Sequence, residues 1–273
     1  MRPDKTVPTD FLVQLMSKVL SCNIFEFDGT LYKQIVGTAM GTPSAVNYSN
    51  LFMNKIDLLL EQLAAAKNYG IDPFLIFKRF IDDIFSIYVG PYQNLLNFLN
   101  EINNLHPTIK FTYSMTCPFR CEYEGLPHDC FCHGAFSLPF LDTLVTLRDN
   151  KISTDLYKKE TDRCQYLLPS SCHPAHITKN IPFSLGFRLL RIVSDPDIFL
   201  RRLEELKELL LSRKYNVKFI DAAFSRLKLL KRADVLKKVV PVPNNRIVFT
   251  VDYHPALPNI SSITRKSWNL MIK

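Results

Sequence analysis

The sequence has no apolar run long enough to cross a bilayer. Its longest apolar stretches are broken by charges well short of the about 20 residues a spanning helix needs. The first residues, MRPDKTVPTDFLVQ, contain no apolar signal core. The seven cysteines are odd in number and lack the regular spacing of a small disulfide-framed scaffold. There is no internal repeat and no low-complexity segment. These shortages speak against a membrane span, a secreted disulfide scaffold and a solenoid. They set the expectation of an intracellular, reduced protein, with the nucleus one compartment open to it.

What is present is an ordinary globular composition. The chain has 273 residues, 47% of them hydrophobic, enough for one large domain or two modest ones with a sizeable core. The net charge of +8 is unevenly placed. Residues 176–240 hold 15 Lys and Arg against 7 Asp and Glu, and the rest of the chain holds 19 of each sign. All the excess positive charge therefore lies in one segment, as in a nucleic-acid-binding region or along a solvated helical face.

Patterning along the chain gives the elements. PTDFLVQLMSKVL reads as a helix capped by Thr9 or Asp10. IFEFDGTLYKQIV alternates around Asp28-Gly29, a hairpin signal. GTAMGTP follows, and Pro43 suits the first turn of a helix, where its missing N–H has no partner to lose. The helical pattern SAVNYSNLFMNKIDLLLEQLAAAKN stops near Gly70. FLIFKRFIDDIFSIYVG reads as two β runs around two aspartates. YQNLLNFLNEINNLH reads as an amphipathic helix, TIKFTYSM as a strand, and FLDTLVTLRDNKISTDLYKK as a hairpin turning at Asp149-Asn150. From Pro182 onward the chain is mainly helical and basic. PDIFLRRLEELKELLLSRKYN and VKFIDAAFSRLKLLKRADVLKKV are joined by a short connection, in the manner of a helix-turn-helix. NNRIVFTVDYHPALP returns to strand and loop. The expected fold class is α+β over 1–159, a basic helical region over 160–240 and a strand-and-loop ending over 241–273.

Asp82 and Asp83 carry the sharpest chemical signal. Adjacent carboxylates amid aromatic and β-branched residues stand in an exposed turn or beneath a cation. Mg2+ takes oxygen ligands, commonly one or two carboxylates with substrate phosphates. Two such ions about 4 Å apart clamp the oxygens of a phosphoryl displacement, which calls for a further carboxylate from elsewhere. Elsewhere, CPFRCEYEGLPHDCFCH gathers Cys117, Cys121, His128, Cys130, Cys132 and His133 at a spacing unlike a standard zinc finger, leaving free thiols beside a structural zinc as readings. Cys172, His173 and His176 in SSCHPAH likewise fit no standard zinc pattern, which favours packing or hydrogen bonding.

RFIDDIF resembles the catalytic Asp-Asp hairpin of reverse transcriptases, their motif C. YKQIVGTAMGTPSAVNYSNLFMNKID, upstream and in the expected order, is similar to their motif B. FLDTLV, LYKKETD and SSCHPAH resemble segments of the Penelope-like retroelement enzymes, so the likeness runs roughly from Phe25 to Trp268. It implies a partial right-hand polymerase palm, with an antiparallel sheet and helices, followed by a basic thumb-like region. It implies RNA-directed DNA synthesis with Mg2+ (or Mn2+) on Asp82 and Asp83, an RNA template, a DNA primer or RNA/DNA duplex, and deoxynucleotides as partners, and no membrane. Gln34, Gly37, Met40 and Gly41 would meet the nucleotide or template. Gly37 and Gly41 would allow close backbone approach or simply make a tight turn. Arg188, Arg191, Arg201, Arg202, Lys228, Lys231 and Arg232 would grip nucleic acid. Lys158 or Lys159 would protonate the leaving pyrophosphate or be solvated at a strand end.

The likeness has gaps. Motif A supplies a strand-borne aspartate upstream of motif B, and Asp4, Asp10 and Asp28 have no such strand context. The fingers and the endonuclease domain of many Penelope-like elements have no counterpart. The expectation is a palm-and-thumb fragment lacking the motif A aspartate. The other readings are a non-catalytic nucleic-acid-binding remnant or co-opted module, and a soluble protein with neither activity. Oligomeric state stays open.

Overall fold

Small antiparallel sheets and amphipathic helices make up the computed structural model, an α+β arrangement. It describes residues 7–66, 74–116, 137–148, 151–237, 252–254, 256–257 and 260–268. Its contacts divide the chain into two units, Met1–Tyr113 and Ser114–Lys273. That division follows packing, whereas the expected change at 159/160 follows composition. No helix among the described residues is long and apolar enough to cross a membrane.

The first unit opens with α1, Thr9–Ser21. Its N-cap is Pro8, without a side-chain cap, so Thr9 and Asp10 stand inside the first turn and the expected cap by either does not form. Strands β1 (Ile24–Phe27) and β2 (Thr30–Lys33) pair with Phe27 opposite Thr30. The turn between them is Asp28-Gly29, at φ 49 and 71, both left-handed as a tight hairpin turn requires. Helix α2, Ala45–Ala66, starts two residues after Pro43, which stands in the preceding turn rather than in the helix. The expected stop near Gly70 lies outside the described residues.

Strands β3 (Phe74–Phe80) and β4 (Asp83–Tyr88) form the second hairpin, and α3 follows at Tyr92–Ile102. Ile56 and Leu60 of α2 bury against Phe98 and Ile102 of α3, with Phe74 and Phe77 of β3 packed on them. The rings of Phe74 and Phe98 lie 5.0 Å apart between centroids. The expected strand TIKFTYSM forms no ladder. At its centre the Asn103 amide, at the end of α3, accepts from Phe111 N–H and donates to Phe111 O instead.

In the second unit β5 (Ser137–Phe140), β6 (Thr143–Arg148) and β7 (Lys151–Leu156) form an antiparallel sheet in that order. Arg148 pairs with Lys151, and the expected turn at 149–150 falls outside the described residues, as do the Cys- and His-rich segment 117–133 and all of NNRIVFTV. Helices α4 (Ala175–Ile192), α5 (Pro196–Ser212), α6 (Val217–Lys228), α7 (Arg232–Val235) and α8 (Ile260–Lys266) follow. Helical structure thus begins ahead of Pro182, which is buried inside α4 rather than at its start.

Local chemistry sets the ends of α5 and α6. Asp195 accepts from the N–H groups of Asp197 and Ile198, and Pro196 fills the first helical position. At the far end Lys214 adopts φ 66, its N–H donates to Leu211 O, and Tyr215 N–H donates to Leu210 O. This is the paired-bond helix stop known as a Schellman motif, here with lysine where glycine is commonest. Asn216 then caps α6 through Lys218 N–H. Leu203 and Leu210 of α5 and Ile220 and Leu227 of α6 have no exposed surface. Burying each contributes about 1.5–3 kcal/mol before entropy is counted.

Helix α4 crosses α6 at Gly186. A Cβ there would stand 2.4 Å from Leu227 Cδ1 and 3.3 Å from Leu203 Cδ2, both fixed in the core. Gly186→Ala should therefore lower stability by about 1–2 kcal/mol in denaturant unfolding, even after the helix-propensity gain of ~1 kcal/mol. Adding Leu227→Ala should cost less than the two single losses summed, because the methyl then occupies the space that leucine leaves.

Candidate functional site

Asp82 and Asp83 sit at the tip of the β3–β4 hairpin. Phe80 pairs with Asp83, so Ile81 and Asp82 are the two turn residues. Ile81 adopts φ 56, a left-handed conformation disfavoured for a β-branched residue. Both aspartates are exposed, and neither has a hydrogen-bonded or ion-paired side chain among the described residues. Two exposed carboxylates side by side fit a hard, oxygen-seeking cation. No third His, Cys, Asp or Glu among the described residues joins them in a cluster that could hold one.

The turn is held from behind. Arg79, at the end of β3, donates through Nη1 to Ile81 O at 2.7 Å and to Asn50 Oδ1 at 3.0 Å. Its Nε donates to Asp57 Oδ1 at 2.8 Å, and its Nη2 pairs with the same carboxylate. The Arg79 side chain is only 13% exposed and that of Asp57 29%. The hydrogen bond to Asp57 raises the Arg79 pKa above its ordinary value against the opposing effect of burial, so the guanidinium stays charged. One arginine thereby ties the aspartate turn to α2, the helix that the glycine loop leads into.

In that loop the Gln34 amide donates to Val36 O at 2.9 Å. Gly37 and Gly41 adopt φ 84 and 86. The left-handed backbone alone calls for glycine at both. The space beside Gly41 is open, with no atom within 4 Å of a built Cβ. Met40 is 99% exposed.

The cations of the second unit fall into two groups. Arg202 is committed to the fold: it forks onto Asp155 at 3.0 and 2.7 Å and reaches Glu205 at 2.7 Å, joining α5 to β7. Burial pushes the Asp155 carboxyl up, but the Arg202 hydrogen bonds, the Leu156 N–H and the nearby charge of Arg202 and Arg201 outweigh it, and its pKa ends below the ordinary value. Arg188 pairs with Asp142 at 2.6 Å, with both side chains about half exposed. Arg191, Arg201, Lys228 and Lys231 are exposed. Arg232 donates to Arg191 O at 3.2 Å, satisfying a carbonyl at the end of α4.

Asp142 occupies a turn built like that of Asp82. Phe140 pairs with Thr143, and Leu141 adopts φ 56, as Ile81 does. The two hairpins share the order Phe, aliphatic, Asp, but Asp142 has an arginine and Asp82 has none among the described residues. Lys158 and Lys159 are both exposed beyond β7. His173 Nδ1 lies 2.6 Å from Ser171 Oγ, a local hydrogen bond, and no metal-holding cluster forms around it among the described residues.

Residues 165–225 match the family model of the animal helix-turn-helix domain. No curated protein and no solved structure matches the chain. The match takes in α4, α5 and most of α6. It also takes in residues 166 and 167, and the α5–α6 connection shows why they belong. Arg213 donates to Tyr166 O at 3.0 and 2.7 Å, and the Tyr215 hydroxyl donates to Leu167 O at 2.7 Å. A helix-turn-helix is an arrangement associated with nucleic-acid binding.

Sequence reading missed Arg79, Asp57 and Asn50. The available signal was a charged residue in the apolar run of α2 and another inside β3. No spacing rule links positions 22 residues apart. Arg79→Ala should lower the stability of the full chain in denaturant unfolding by about 1–3 kcal/mol, leaving Asp57 half-buried and unpaired. Adding Asp57→Ala should recover part of the loss.

Asp155 gives a pH dependence. Its folded pKa is lowered, so its stabilisation is complete above the unfolded value, about 3.9, and fades as pH falls through the folded one. Arg202→Met should flatten that part of the acid-unfolding profile.

Proposed function

We propose that the chain is a reverse-transcriptase-type protein, pairing a palm-like hairpin bearing Asp82 and Asp83 with a nucleic-acid-gripping helical unit. The observation that carries this reading is the exposed aspartate turn, tied through Arg79 to the helix behind the glycine loop. The helix-turn-helix match in the same chain supports the grip.

In this reading the reaction is template-directed DNA synthesis on RNA. A primer 3′-hydroxyl attacks the α-phosphate of a deoxynucleotide, and pyrophosphate leaves. Asp82 and Asp83 would hold Mg2+ (or Mn2+), which when bound neutralises phosphate charge and favours the attacking oxygen. Arg79 fixes where the two carboxylates stand. The open face of Gly41 admits a base pair or nucleotide to the backbone, and Gln34 keeps amide capacity beyond its bond to Val36. Arg191, Arg201, Lys228 and Lys231 would meet backbone phosphates. An intracellular setting that includes the nucleus goes with this reading.

The second reading is a nucleic-acid-binding module without polymerase chemistry. It is favoured by the partial ligand set, since no further carboxylate joins Asp82 and Asp83 among the described residues. A positioned nucleophile and two ions need more than two adjacent oxygens.

Primer extension on an RNA template, with Mg2+ and with Mn2+, separates the two. The enzyme reading expects extension that Asp82→Asn/Asp83→Asn reduces by at least about 100-fold. The module reading expects no extension, together with duplex binding that weakens steeply between two salt concentrations. Extension that the double variant leaves intact would sink the role given to these aspartates.

A further inference from the structure

A small, open pocket lies in the second unit where the chain leaves β7 and meets α4 and α5. Its floor is leucine from all three elements, and its polar lining is Lys158, Tyr166, Arg188, Arg202 and Glu205. Arg202 and Glu205 pair at 2.7 Å, and Asp155 takes up the rest of the Arg202 fork. Those two charges are spent. Arg188 points Nε and Nη2 at a single oxygen, Asp142 Oδ2, at 2.9 and 2.6 Å, and its Nη1 has no described partner. Lys158 has no ion pair among the described residues. The Tyr166 ring is half-buried at the pocket wall. Burial raises its phenol pKa, as do the nearby Cys164 and Asp162 and a side-chain hydrogen bond with Cys164, against the opposing charge of Arg188.

We propose that this pocket seats a phosphate of a nucleic-acid strand, with Lys158 and Arg188 as its cationic contacts and the Tyr166 hydroxyl as a neutral donor. The proposal rests on the nucleic-acid-binding reading and assigns it a specific anchor. The unpaired Lys158 ammonium, the remaining Nη1 of the Asp142-paired Arg188 and one hydroxyl suit a phosphate oxygen pair. The leucine floor keeps water from one side of the charges, which strengthens them, and offers an apolar surface to a sugar or base. A bare anion makes no use of that floor. Arg191 lies one turn along α4 from Arg188 and is exposed, so the positive lining continues outward, as a strand with successive phosphates requires. The pocket also separates two neighbours that sequence treats alike, because Lys158 lines it and Lys159 does not.

The test uses the full chain, a fluorescent oligo-dT strand and an RNA/DNA hybrid, with anisotropy read across a salt series. Lys158→Ala should weaken binding about fivefold and reduce the salt slope by about one, while Lys159→Ala should leave both unchanged. Thymidine monophosphate should compete far more weakly than an unlabelled strand. Wild-type binding that Lys158→Ala does not alter would overturn the pocket and leave the nucleic-acid reading standing. Absence of binding by the wild type would overturn both. Equal competition by the mononucleotide would overturn the strand assignment.

Discussion

An arginine taken out of water must bring a carboxylate with it, and in each unit that constraint joins a hairpin to a helix. Arg79 meets Asp57 across β3 and α2; Arg202 meets Asp155 across α5 and β7. Both guanidiniums are substantially buried and both approach the carboxylate as a fork, so removing either partner strands a charge. The pairs add little net stability beyond an apolar contact of the same size. They do fix which part of the hairpin faces which turn of the helix. The aspartate turn in one unit and the leucine-floored pocket in the other stand where these two bridges hold their walls.

The carboxylates of the two hairpins meet different fates. Asp57, Asp142 and Asp155 are consumed by arginines, and Asp195 by the first turn of α5. Asp82 and Asp83 have no such partner among the described residues and stand exposed on a turn with a left-handed isoleucine. The Leu141-Asp142 turn has the same build, so that conformation belongs to the hairpin type and is no mark of chemistry by itself. What distinguishes the Asp82 turn is two adjacent carboxylates without a counter-charge among the described residues. The cations divide in the same way, with Arg202 spent internally and Lys158, Arg191, Arg201, Lys228 and Lys231 left to solvent.

Much of this was legible in the sequence because short-range rules decided it. Asp28-Gly29 required a tight turn, the alternation around Asp82 required a hairpin, and the apolar spacing of α5 and α6 required a helix pair. Where the reading failed, a longer-range or local competitor won. TIKFTYSM has strand alternation, but it joins no ladder among the described residues, and at Phe111 the Asn103 amide takes both backbone bonds. Pro182 looks like a helix start, yet α4 runs through it, because the helix is held by its packing on α6 at Gly186. Of the site, the aspartates could be read directly. The arginine that places them could not, since its partners lie 22 and 29 positions away and only the fold brings them together.

In the proposed reading the Asp82–Asp83 turn receives a divalent cation when nucleic acid is bound. Electron paramagnetic resonance of Mn2+ titrated into the full chain with a primer–template duplex tests it most directly. The account predicts a bound Mn2+ population that Asp82→Asn/Asp83→Asn removes while duplex affinity stays near wild type. Equal Mn2+ binding by the wild type and the double variant would contradict it.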